Sequence, residues 1–256
     1  MVAWERVAVR GPEDGETGVE EKLAELVDRL KGAALDNLRS VVLYGSAVSG
    51  EFLSKHSDLN ILCLVARAGA GELEELHTPA NWWMRRGNPA PIIFTLDELR
   101  ASADIFAIEL YDIKRQHRIL YGQDFLEGFE VPLGFHRLQV KRELRTDWLR
   151  LRQVILTAPL RKKIHLQIMS DSISAFCALF RHAMLAIGQP MPETKRAAVD
   201  AVAAMTGADP SAFHQILELR EGKRKESEID TEVALHNYLA LVEVIANELD
   251  RRLGPQ

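Results

Sequence analysis

Residues 41–62 read VVLYGSAVSGEFLSKHSDLNIL, and this stretch decides the fold. The segment from Ser40 to Tyr44 is short, β-branched and apolar, and it stops at Gly45, as a buried strand stops at a turn. Leu59 to Val65 (LNILCLV) is a second run of the same kind. Between them, GSAVSGEFLSKHSD has room for a short helix and a loop. Ligands of open α/β sheets bind beyond such strand ends. Gly45 lets a phosphate approach the backbone closely. Ser46 offers a hydroxyl and an amide at the start of the next helix, where the dipole favours anions. Asp58 and Asn60 are two apart, so strand alternation points both to one face. Two oxygen ligands beside a phosphate loop suit a Mg²⁺ carried by a nucleotide.

Taken together, a strand, Gly45-Ser46, a gap of eleven residues (47–57), Asp58-Leu59-Asn60 and a second strand resemble the signature of the DNA polymerase β-like nucleotidyltransferase superfamily. Within it, LYGSAVSGEFLSKHSDLNIL is most similar to the bacterial branch of aminoglycoside and minimal nucleotidyltransferases. The resemblance covers roughly the first half of the chain. It implies that Gly45, Ser46 and Ser57 hold a triphosphate and that Asp58 binds metal and serves catalysis. Asn60 stands where the family has its second metal carboxylate. An amide there keeps one oxygen ligand, removes a negative charge and cannot bridge two Mg²⁺. The family's third carboxylate lies on a later strand. PIIFT (91–95) has no acid. Glu109, in IFAIELYDI (105–113), is the first candidate, with Asp104, Asp112 and Asp97 behind it.

The implied reaction is Mg²⁺-dependent transfer of a nucleoside monophosphate from an NTP, ATP being the first choice, to a hydroxyl of a small molecule or protein. The rival is a catalytically weakened module of the same fold that binds nucleotide or a protein partner, as a regulator or antitoxin-type protein. A homodimer is compatible with either.

Outward from this stretch, residues 1–17 end in GPEDGET and read as a flexible segment. Val19, Leu23, Leu26, Val27, Leu30 and Ala34 recur at helical spacing. PIIFT, IFAIELYDI and RILY (118–121) read as further strands, the last closed by Gly122. After Pro132 the strand signal stops. Leu144, Trp148, Leu151 and Ile155 open a helix, and Ile164 to Ile187 forms another, ended by Gly188 and Pro190. An alanine-rich third follows Pro192 and closes at Gly207. Asp209-Pro210 caps a fourth, and Leu235 to Leu249 stripes the last. The expected class is α+β: a mixed-sheet nucleotidyltransferase-fold domain over 18–130, followed by an all-α helical bundle over 131–256.

The chain has 256 residues with 32 Lys+Arg and 37 Asp+Glu, giving a net charge of −5. That argues against a basic nucleic-acid coat protein, so nucleic acid is not an expected partner. Cys63 and Cys177 sit in apolar runs, which excludes a disulfide framework and fits a reducing, cytoplasmic setting. No apolar run approaches the roughly 18–20 residues that span a bilayer. Neither GxxxxGK[ST] nor GxGxxG occurs, which disfavours a P-loop or dinucleotide-binding protein. Trp82-Trp83 with Arg85-Arg86 suits either a nucleotide clamp or plain packing. Lys114-Arg115 and Arg161-Lys162-Lys163 read as solvated faces, and His165 and His182 as helix residues rather than ligands.

Overall fold

The computed structural model describes residues 16–48 and 58–254. These fall into two compact units, one up to Pro132 and one from Leu133.

In the first unit, α1 (Glu16–Ala34) leads through a 3₁₀ turn at Leu35–Asn37 into β1 (Leu38–Tyr44). After the turn at Gly45–Ala47 come β2 (Asn60–Val65), α2 (Ala70–Met84), β3 (Ile92–Thr95), α3 (Leu96–Ala101), α4 (Ala107–Arg115) and β4 (His117–Gly122). The strands form one mixed sheet in the order β3-β2-β1-β4. β1 runs antiparallel to β2 and β4, while β2 and β3 are parallel, with α2 as their crossover.

Alternation along the strands sorts their side chains onto two faces. Val41, Leu43, Leu59, Ile61 and Cys63 pack with Leu23, Leu26 and Leu30 of α1 and with Leu76 and Trp83 of α2. Val42, Leu62 and Leu64 pack on the opposite face with Leu99 of α3, Leu110 and Ile113 of α4, Leu126 and Phe129. The sheet is thus covered on both sides, so residues 41–43 and 61–65 of its central strands are apolar on both faces. The Asn37 side chain ties the start of β1 to the end of β2, accepting from the Arg67 N–H and donating to its carbonyl. Thr95 and Glu98 form a reciprocal cap that starts α3. At Gly122 (φ +81°) a Cβ would collide with the Arg39 carbonyl, so only glycine lets β4 close against β1 there.

One expectation is corrected. Residues 107–115 are helix, where IFAIELYDI suggested a strand. Buried Ala107, Ile108, Leu110 and Ile113 fall on one helical stripe.

The second unit holds α5 (His136–Thr157), α6 (Lys162–Ala186), α7 (Lys195–Thr206), α8 (Ser211–Arg220) and α9 (Thr231–Leu253). Its core is aromatic: Phe213 stacks on Tyr238 with centroids 4.1 Å apart, and both meet Phe176 or Phe180. The buried Tyr238 hydroxyl is 2.7 Å from Ser172 Oγ, and burial holds that phenol well above its ordinary range. Thr194 caps α7 three residues after the start expected from Pro192, and Gly207 ends that helix in the left-handed conformation. Among the described residues no helix is long and apolar enough to cross a membrane.

Candidate functional site

β1 leaves the sheet at Tyr44 and turns at once. Gly45 takes φ +82°, and Val48 donates back to the Gly45 carbonyl at 3.0 Å. The following helix, expected to begin at Ser46, is a single 3₁₀ turn over Gly45–Ala47 among the described residues. Ser57 lies outside the described residues, as do the rest of 49–57.

The other strands bring polar groups to the same end of the sheet. Asn60 stands opposite Tyr44 in the β1–β2 ladder, and His117 stands opposite Tyr44 in the β1–β4 ladder. Directly opposed residues share a face. Tyr44 packs on the side of α4, so Asn60, Tyr44 and His117 form a row across three strands on that face. Leu59 is buried in the opposite core, which leaves Asp58 and Asn60 flanking it toward α4's side. Asp58 is exposed and Asn60 half-buried. The Leu59 N–H donates to Asn88 Oδ1 at 3.3 Å, which fixes the entry into β2.

Glu109 is carried by α4, which packs on this face. It lies in the first turn of α4, half-buried, one turn before Ile113, which packs on the sheet. Burial and then the Glu109 charge push the Tyr44 phenol up to about 12. Tyr44 is therefore a neutral hydroxyl at working pH, and Glu109 is close enough to act on it. Asp97 is exposed in the first turn of α3, Asp104 is half-buried before α4, and Asp112 is half-buried on α4.

Two carboxylates and an amide oxygen, from Asp58, Glu109 and Asn60, are the donor types that would hold a Mg²⁺ arriving with a triphosphate. Among the described residues, no three His, Cys, Asp or Glu side chains gather at metal-binding distance.

Other candidates lie elsewhere. Trp83 is fully buried, and Trp82 packs in the α1/α2 core with Arg29 and Arg86 over its ring at 4.6 and 3.8 Å. That cluster is on the face opposite Asn60, so it packs the sheet and does not clamp a ligand at Gly45. A cavity of about 420 Å³ between α1 and β4 opens on that same opposite face, bounded by the Arg118–Glu20 ion pair. Lys114, Arg115, Arg161, Lys162 and Lys163 are all exposed. His182 is buried on α6 with its Nδ1 2.8 Å from Nε2 of His136. Tyr44, Asn88 and His117 are absent from the sequence-derived set. Their places depend on strand register and loop packing, which no local motif encodes.

No protein-family model matches the sequence, and no curated protein matches it. Among solved structures the chain is similar to spectinomycin adenyltransferase AAD(9) from Enterococcus faecialis, solved with ATP and spectinomycin. The TM-score is 0.54 at 15% identity, over 88% of this chain and 99% of that one. A nucleotidyltransferase-like protein from Exiguobacterium sibiricum 255-15 matches with a TM-score of 0.33 at 12% identity, over 91% of this chain and 78% of that one. The first likeness shows the fold: the chain has a polymerase β-like nucleotidyltransferase fold.

Proposed function

We propose that this protein binds a Mg²⁺-carried nucleoside triphosphate, ATP first, at the end of β1 and transfers its nucleoside monophosphate to a hydroxyl. The observation that supports the reading is the Gly45 turn at the end of β1 with Asn60 and Tyr44 paired beside it, on the face over which α4 carries Glu109. The AAD(9) structure, which holds ATP in the same fold, supports the choice of nucleotide.

In this reading Gly45 leaves the backbone open to the triphosphate and Ser46 donates to it, with Ser57 as a further contact. Asp58, Asn60 and Glu109 would hold the cation, which would neutralise triphosphate charge when bound. Glu109 takes the proton of the acceptor hydroxyl. The acceptor oxygen then forms a bond to the α-phosphorus as the bond to the β-phosphate oxygen breaks, and pyrophosphate leaves. The acceptor is a hydroxyl of a small molecule or a protein side chain in the cytoplasm. Residues 18–130 carry the nucleotide and 131–256 form the helical partner domain.

Asn60 favours a second reading, a module that binds nucleotide but turns over slowly, because the strand supplies one acid where two would bridge metals. ATP titration with and without Mg²⁺, together with pyrophosphate release, tests both. Mg²⁺-dependent binding and release, both abolished in Asp58→Asn and Glu109→Gln, support transfer. Binding without release leaves the second reading, and no binding in either condition overturns both.

A further inference from the structure

His117 bridges the end of α4 and the turn that follows β4. Its Nδ1 lies 3.0 Å from the Ile113 carbonyl and 3.2 Å from the Lys114 carbonyl. Its Nε2 lies 3.1 Å from Asp124 Oδ2. Asp124 also accepts from the Leu126 and Glu127 N–H groups, so the turn that holds the ring is itself fixed.

That ring closes the C-terminal end of α4. The N-terminal end has no side-chain cap. The helix that carries Glu109 is thus anchored by a chain running from its last carbonyls through His117 to Asp124 and the turn at 124–127. His117 is also the β4 neighbour of Tyr44, the residue on which the Glu109 charge acts.

We propose that His117 is a positioning residue: its bonds to the last carbonyls of α4 on one side and to Asp124 on the other hold α4, and with it Glu109, over the strand ends. The inference rests on the role given to Glu109 above, so its test needs a readout that does not require nucleotide.

Two measurements on the full chain decide it, each comparing wild type with His117→Gln and Asp124→Asn. The first is hydrogen exchange of the α4 amides. Wild type should exchange more slowly than either variant. The second is Mg²⁺-ATP affinity, which should be weaker in both variants by about 10- to 100-fold, the usual loss when an outer partner of a metal-binding group is removed. Equal α4 exchange in wild type and both variants overturns the inference, whatever nucleotide does. Equal affinity in all three proteins overturns it too. Should no protein bind ATP, the proposed function fails, and the exchange difference alone supports or overturns His117 as the anchor of α4.

Discussion

A Cβ placed on Gly45 would stand 3.1 Å from Nδ2 of Asn60. The turn that leaves β1 and Asn60 on β2 are therefore close neighbours, so a side chain at position 45 presses on the Asn60 amide.

Gly45→Ala should cost stability as well as binding. The residue sits at φ +82°, where an L side chain loses roughly 1–2 kcal/mol. The Asn60 amide must also give way. Urea midpoints should fall by a corresponding amount, and nucleotide affinity should drop further than stability explains. Gly45→Val should be worse on both counts. A folded Gly45→Val protein with unchanged nucleotide affinity would remove the phosphate role of this turn.

Asn60→Asp should tighten Mg²⁺-dependent nucleotide binding and raise pyrophosphate release, since a second strand carboxylate binds divalent cations far better than an amide. Without metal it should lower the melting temperature, because the new charge lies on the same face as Asp58 and is uncompensated. A Mg²⁺ series on both proteins checks this. Brisk wild-type turnover that the substitution lowers would make Asn60 itself a working part of the site.

Alkali should unfold the first unit in steps. Burial pushes the Cys63 thiol from 9.0 up to about 12, and burial with Glu109 pushes Tyr44 from 10.0 up to about 12. Both folded values lie above the unfolded ones. Each group's contribution is thus intact below its unfolded value and is lost as pH rises toward about 12. The slope is about 1.4 kcal/mol per pH unit for each group. In urea melts at rising pH, Cys63→Ala should delay the onset of the loss by about one unit, to where the tyrosines begin. Tyr44→Phe should flatten the later part. Unchanged slopes in both variants would contradict this assignment.

Leu35→Asn should stabilise the protein. Leu35 holds φ +46° at the exit from α1 with its side chain 72% exposed. Asparagine tolerates that backbone better, and little burial is lost, so a gain of about 0.5–1 kcal/mol is expected in chemical denaturation.

Much of the sheet is legible in the sequence because its strands are short, β-branched and closed by Gly45, Gly122 or a polar turn. The run 105–113 is not, because it satisfies both periods at once. Phe106, Ile108 and Leu110 alternate, while Ala107, Leu110 and Ile113 step by three. With only nine helical residues and no N-terminal side-chain cap, nothing local breaks the tie. The same ambiguity hides His117, since a histidine four residues after Ile113 signals a helix C-terminus only once 107–115 is known to be a helix. Glu109 stands out under either assignment. Its partner Tyr44 emerges only from strand register.

The pairing of β1 with β4 bears on how the chain is made. Ser40 Oγ donates to the Tyr121 carbonyl, 81 residues downstream. During synthesis β1 can pair with β2 early, but its other edge stays bare until β4 has left the ribosome. Such an open apolar edge is a template for pairing between nascent chains. Chains cut just before His117 should therefore aggregate, while chains reaching past Phe129 should remain in solution.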